Sequence, residues 1–388
     1  MGALDGYKVL DFSTLLPGPY ATMTLADLGA EVLKVSSKDK YDLVVNWPPV
    51  IEGAQVTGAQ GWLGRNKKSI FLNLKKEKSV EAVKKLVKEY DIVVEQFRPG
   101  VMDKLGIGYE ALKAENPQVI YCAITGYGQN GPFSMKAGHD INYLSRAGLI
   151  AAAGREEGGP SLFNFQIADV AGGSMTAVSA ILAAIIYREK TGKGQFIDIS
   201  MQDSVVPFNS MDGASYFAGA EIPKREGGQL NGGGVYDFYK CKDGKYISVG
   251  SLEPKFFAGL CKALGHDEWA DGKILKTDTK LVKETFKKQF LTKTRDEWAE
   301  ICAHYDSCIE PVLDLEEVSH DEHLLSRGMF PEVEVPVSDG VKIRQLGCPI
   351  KLSESMPEYK WAGYPEGYHT GEILSSLGYS NEEIEEMI

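Results

Sequence analysis

Short, almost wholly apolar runs that alternate with helical stretches constrain this chain most. Val9–Ser13, Glu31–Val35, Ser69–Leu74, Asp91–Phe97, Val119–Thr125 and Gln195–Ser200 read as strands. Runs such as Asp91-Ile-Val-Val-Glu lack the apolar/polar alternation of a half-exposed strand, as strands buried on both faces do. Residues 18–28 and 76–90 read as helices between them, with Val80, Val83, Leu86 and Val87 at helical spacing. Strand and helix in turn predict an α/β domain with a Rossmann-like, largely parallel sheet.

Residues 139–153 and 169–190 read as two more helices, the second stopped near Gly192 and Gly194. After about residue 205 the character changes. A Gly-rich connector (215–234) leads to an Asp-Gly hairpin, 236–241 and 245–250 around Lys242-Asp-Gly. Helices follow at 254–264, 281–291 and 295–305. A chain of 388 residues exceeds one simple core. The expected organisation is a large domain over 1–204, a smaller α+β domain over 205–315, and a segment, 316–388, that packs back on the large domain.

The net charge of −12 argues against general binding to nucleic acid or anionic membrane. The six cysteines are scattered without a CxxC pair, which predicts free buried thiols in a reducing compartment and no metal site. No apolar signal core and no peroxisomal address are seen, so a cytoplasmic location is expected. The longest apolar stretch, 177–187, is short for a membrane span, ends in Arg188-Glu-Lys, and reads as a buried core helix.

Two polar residues stand out in apolar, Gly-rich surroundings. His139 lies in Ala-Gly-His-Asp-Ile-Asn-Tyr, and Asp169 in Ile-Ala-Asp-Val-Ala-Gly-Gly-Ser-Met. Each sits where a helix should begin. An imidazole and a carboxyl aimed at one pocket are what proton transfer to and from carbon requires. On spacing alone, blander readings stand beside this one: Asp169 as a plain N-cap, His139 as a hydrogen-bonded core histidine, Glu253 as an ordinary first-turn acid before Pro254.

Leu15-Leu-Pro-Gly-Pro-Tyr-Ala with Leu-Ala-Asp-Leu-Gly-Ala-Glu-Val, Arg98-Pro-Gly-Val-Met-Asp-Lys-Leu-Gly-Ile-Gly, and Ile124-Thr-Gly-Tyr-Gly-Gln-Asn-Gly-Pro occur in this order. Gly138-His-Asp-Ile-Asn-Tyr, the Asp169 helix start, Ser251-Leu-Glu-Pro-Lys-Phe and Asp306-Ser-Cys-Ile-Glu-Pro-Val follow. Together they resemble the CaiB/BaiF-type family III of CoA transferases and racemases over nearly the whole chain. Within it the chain is most similar to the racemases that act on 2-methylacyl-CoA thioesters. The resemblance implies two-base proton transfer at the α-carbon through an enolate, with His139 and Asp169 on opposite faces and Glu253 supporting the imidazole. It gives the backbone N–H of Asp140 to the enolate oxygen. The family's other chemistry is CoA transfer between carboxylic acids through an Asp169–CoA thioester. Transferases generally lack the histidine that this chain has at 139.

The resemblance further implies an acyl-CoA substrate, no separate cofactor, and an interlocked homodimer that brings the Gly-rich 227–234 stretch near the site. Arg65, Lys67, Lys68 and Arg98 resemble CoA contacts; the turn Ser36-Ser-Lys-Asp-Lys40 departs from the family's pattern, so that the basic contact expected there is either supplied by Lys38 or missing. The alternative for Lys67 and Lys68 is a solvated strand edge. The 41–62 segment, with Trp47 and Trp62, reads as an ordered loop at the site's mouth or as a surface or dimer contact. Met201, Phe208, Met211, Tyr216 and Phe217 are expected mostly in the core.

Overall fold

The computed structural model describes residues 1–40 and 42–388; Tyr41, the first residue of the 41–62 segment, lies outside them. The chain divides into two units. The first comprises Met1–Ala147, Phe165–Phe208 and Glu322–Ile388, and the second Gly148–Asn164 and Asn209–Asp321.

The first unit is built on six parallel strands: β1 (Lys8–Asp11), β2 (Glu31–Ser36), β3 (Lys67–Phe71), β4 (Ile92–Glu95), β5 (Ile120–Thr125) and β6 (Gln195–Ser200). Their order is β3-β2-β1-β4-β5-β6. The order reverses direction at β1, which pairs β2 on one side and β4 on the other. Leu10, Leu33, Ile70, Val93 and Tyr121 from these strands pack with helix residues such as Val83 and Leu86 in one buried core.

The C-terminal segment enters the same core through Leu374, Ile384 and Met387. It also covers β3, which would otherwise be an open edge. His369 N–H donates to the Ser69 carbonyl at 2.9 Å, and Phe71 N–H donates to Thr370 Oγ1 at 2.9 Å.

The predicted 139–153 helix ends early. It spans Asp140–Arg146, because Gly148 takes a φ of 84° that breaks the helical run. Residues 148–164 therefore pass into the second unit, although 1–204 reads in sequence as one domain. The run Ala168–Thr191 is continuous, 24 residues, and long and apolar enough by length and composition to cross a membrane, which the sequence reading did not expect. One face of it, with Ala177, Val178, Ile181, Ala184 and Ile185, is nevertheless buried, and the helix packs on β5 and β6.

The second unit carries an antiparallel sheet of β7 (Asp237–Lys240), β8 (Tyr246–Val249) and β9 (Ile309–Pro311), in the order β7-β8-β9. Gly244, at φ 84°, makes the predicted hairpin turn. The sheet shares a core with the helices Pro254–Leu264, Thr279–Phe290 and Arg295–Ala303, centred on Phe257, Phe286, Phe290 and Trp298. Of the six cysteines, Cys308 is exposed, contrary to the expectation of buried thiols.

Candidate active site

A cavity of about 270 Å³ opens at the carboxyl ends of β1, β4, β5 and β6. Its wall takes Leu15 and Pro17 after β1, Gln96 to Pro99 after β4, Thr125 and Gly126 at β5, and Met201 after β6. This is the switch point of the sheet, where loops on either side of β1 part and leave a crevice. His139, Asp169 and Arg98 line this same cavity.

Local packing explains the placement of His139. Tyr143, one turn into the Asp140–Arg146 helix, donates from its hydroxyl to the Gly138 carbonyl at 2.6 Å. A Cβ on Gly126 would lie 2.5 Å from the Tyr143 ring, and one on Gly138 2.7 Å, so both positions must be glycine for the ring to seat. The seated ring fixes the backbone immediately before His139. The His139 N–H donates to Asn142 Oδ1 at 3.0 Å, which opens the helix.

Asp169 is not a plain N-cap. It is the second residue of a π-helical turn, Ala168–Met175, that runs into the Thr176–Thr191 helix. π-turns are rare and recur at functional sites. Gly172 and Gly173 let this turn press on its neighbours: a Cβ on Gly172 would lie 2.7 Å from Val205, and one on Gly173 3.1 Å from Pro17 and Met201. The Asp169 carboxyl makes no hydrogen bond among the described residues. Burial, and secondarily the charge of Asp140, pushes it up to about 7. Such a carboxyl gives and takes a proton near neutrality.

Asp140 stands between the two. Its backbone N–H, at the first position of its helix, has no partner among the described residues, as expected for a helix start. Its carboxylate Oδ1 accepts from the Ala168 N–H at 2.6 Å and the Asp169 N–H at 3.1 Å. Burial raises its pKa while those two donors lower it.

The cationic residues divide. Arg98 is exposed at the cavity and has no ion-pair partner among the described residues. Lys136, which sequence reasoning missed, lines the cavity too; its signal was its place three residues before His139. Arg65 corrects the expectation of a phosphate contact. It is fully buried and binds Asp27 through Nε–Oδ1 at 2.9 Å and Nη2–Oδ2 at 2.6 Å, with Nη1 on Gln345 and the Leu346 carbonyl.

Lys67 is likewise interior rather than free for a ligand. Its ammonium meets Asp11 Oδ2 at 3.3 Å, Thr22 Oγ1 at 2.7 Å and the Pro19 carbonyl at 2.9 Å, and burial pulls its pKa down to about 8. Lys68 is partly exposed and pairs with Glu372 at 3.7 Å. Lys38 is exposed, 6.0 Å from the centre of the Phe71 ring. None of these four lines the cavity that holds His139.

Glu253 belongs to the second unit, where it is the exposed N-cap of Pro254–Leu264 and makes no capping bond with its side chain. Of the apolar residues expected mostly in the core, Met201 is buried and lines the cavity. Phe208, Met211, Tyr216 and Phe217 are exposed, and the Ser210–Phe217 helix has no buried residue. Trp62 is anchored by its Nε1, which donates to the Leu346 carbonyl at 3.1 Å; Trp47 is exposed, and neither lines the cavity. Gln96 was also missed by sequence reasoning. Its Oε1 accepts the Gly18 N–H at 2.9 Å, which joins the helix after β1 to the loop after β4. Among the described residues no three His, Cys, Asp or Glu side chains are grouped to hold a metal ion.

Residues 4–370 match the family described as CoA-transferase family III. The human alpha-methylacyl-CoA racemase is 35% identical over 386 residues, covering 98% of this chain and 95% of that protein. The human succinyl-CoA:glutarate CoA-transferase is 34% identical over 399 residues, covering 99% of this chain and 88% of that protein. Among solved structures, a CAIB/BAIF family protein from Brucella suis superposes with a TM-score of 0.83 at 29% identity, over 97% of this chain and 99% of that one.

Proposed function

The chain belongs to CoA-transferase family III, and from that premise we propose that it inverts the α-carbon of 2-methylacyl-CoA thioesters. The observation that carries this reading is the meeting of an imidazole and a carboxyl raised to about 7 in one cavity. A thioester α-proton is far less acidic than either group. Exchange therefore needs a base on one face of the carbon, an acid on the other, and a fixed donor for the enolate oxygen.

His139 and Asp169 take the two faces and exchange roles with the configuration of the substrate. The base removes the α-proton, the electron pair moves onto the thioester oxygen, and the other group delivers its proton from behind. The unpartnered Asp140 N–H is suited to the enolate oxygen, because amides at a helix start are free and favour negative charge. Arg98 and Lys136 give a net-acidic protein a local cationic rim for the phosphates of CoA, which is part of the substrate.

Incubation with one enantiomer of a 2-methylacyl-CoA in D₂O is expected to place deuterium at the α-carbon and to generate the other enantiomer. Absence of exchange across a panel of branched acyl-CoAs would refute the reading. A second reading rests on the likeness to the glutarate transferase and on an Asp169 carboxyl with no hydrogen bond among the described residues. In it Asp169 attacks the thioester and carries CoA to a free acid. Trapping an Asp169–CoA thioester in the presence of donor and acceptor would establish it, and His139→Ala would then leave most activity.

The same family premise supports a homodimer. The Ser210–Phe217 helix, with Met211 and Phe217 uncovered, supplies apolar surface for a second copy.

A further inference from the structure

The Asp140 side chain has a task separate from its backbone. Its single Oδ1 accepts the N–H groups of Ala168 and Asp169, at 2.6 and 3.1 Å. Both N–H groups belong to the first turn of the π-helix, where amides have no partner within the helix. Asp140 also follows His139 directly in the chain. One carboxylate therefore joins the backbone beside the imidazole to the backbone beside the catalytic carboxyl, across 28 residues of intervening sequence for Ala168.

The rest of the turn is held from the other side. Ser174 Oγ donates to the Pro17 carbonyl at 2.6 Å and to the Asp169 carbonyl at 3.1 Å. Gly172 and Gly173 press on the Met201–Val205 helix and Pro17. These contacts fix the far end of the turn, whereas among the described residues only Asp140 ties its leading end to the Asp140–Arg146 helix by hydrogen bonds. Acceptors at a helix start are favourable in themselves, because the exposed N–H groups there carry partial positive charge.

We propose that the Asp140 carboxylate is a positioning residue that locks the Asp169 turn to the His139 backbone, so that acid and base keep a fixed spacing across the cavity. The proposal rests on the reading of His139 and Asp169 as the two proton-transfer groups. Misplacement of a reacting group by about 1 Å can cost on the order of 100-fold in rate. The loss would fall on kcat, because Asp140 has no place in the cationic rim that binds CoA.

Asp140→Ala removes the acceptor and leaves the backbone N–H. Asp140→Asn keeps an oxygen acceptor of the same reach and removes the charge. The readouts are α-deuterium exchange kinetics with 2-methylacyl-CoA and hydrogen exchange of the peptide spanning 167–175 by mass spectrometry. The expected result for Asp140→Ala is a kcat lower by about 30- to 100-fold, a KM within about three-fold, and faster amide exchange at 168 and 169. Asp140→Asn should recover at least ten-fold of the lost turnover and restore amide protection.

Asp140→Ala with wild-type kcat, a loss confined to KM, or Asp140→Asn no better than Asp140→Ala would overturn the proposal. If Asp140→Ala does not fold, Asp140→Asn decides alone: a loss as deep as that of Asp169→Ala overturns the positioning role. The amide readout does not depend on the reaction. A wild-type protein inactive towards every 2-methylacyl-CoA refutes the racemase reading, while unchanged protection at 168 and 169 in Asp140→Ala refutes the lock itself.

Discussion

The Ser174 hydroxyl donates to the Pro17 carbonyl at 2.6 Å, and this bond fastens the turn that carries Asp169 to the helix that follows β1. Both ends are buried. Ser174→Ala removes the hydroxyl donor and leaves the Pro17 carbonyl to its bond within the helix, a loss of about 0.5–1.5 kcal/mol. The expected outcome is a lower Tm together with a lower kcat, read by calorimetry and by α-proton exchange. A variant with wild-type Tm would show that the carbonyl finds another donor.

Arg65 and Arg98 should behave as opposites. Arg65→Ala removes the buried guanidinium that pairs with Asp27, a loss of about 3–5 kcal/mol. Any folded fraction of that variant should bind CoA normally. Arg98→Ala should leave Tm unchanged and raise KM for acyl-CoA about 10- to 100-fold, the worth of charge-assisted bonds to phosphate. Thermal melts beside steady-state kinetics on both variants check the pair, and a raised KM for folded Arg65→Ala would reverse the assignment.

Stability should depend on pH through Asp169. Burial and the Asp140 charge raise its carboxyl to about 7 in the folded chain, well above an ordinary aspartate. At pH values below the unfolded pKa, about 4, both states hold the proton and the raised pKa costs nothing. As pH rises from there through 7, the unfolded chain ionises freely while the folded one resists, and stability is lost. Asp169→Asn removes this dependence. Its Tm should equal that of the wild type near pH 4 and exceed it most at pH 8. A Tm difference that does not change with pH would contradict the assignment.

The uncovered Ser210–Phe217 helix predicts association. Light scattering should give about twice the chain mass of 42.5 kDa. Phe217→Asp, which places charge on an apolar surface, should shift that mass towards one chain without unfolding it. A monomeric wild type would leave Met211 and Phe217 as ordinary exposed side chains.

Much of the first unit was legible because its strands are apolar on both faces, and that pattern needs no knowledge of partners. Val93, Tyr121 and Leu33 announce themselves by type and spacing. The prominence of His139 and Asp169 came from polar residues in apolar sequence, and the fold brings both to one cavity. Arg65 and Lys67 were misread because a basic run looks the same whether it meets phosphate or buried carboxylates. Their partners, Asp27 and Asp11, lie 38 and 56 residues away, beyond the reach of any local pattern. The helix break at Gly148 was hidden by the helix-prone Leu149-Ile-Ala-Ala-Ala that follows it. The stripe at 208–217 was misread because apolar composition does not say whether a chain covers its own surface.

The order of the strands also dictates when the crevice comes into being. Its floor is laid by segments that emerge early from the ribosome, but its last wall, Met201, follows the sixth strand. A partly synthesised protein thus lacks the closing wall of the cavity that His139 and Asp169 line until the sixth strand has joined the sheet.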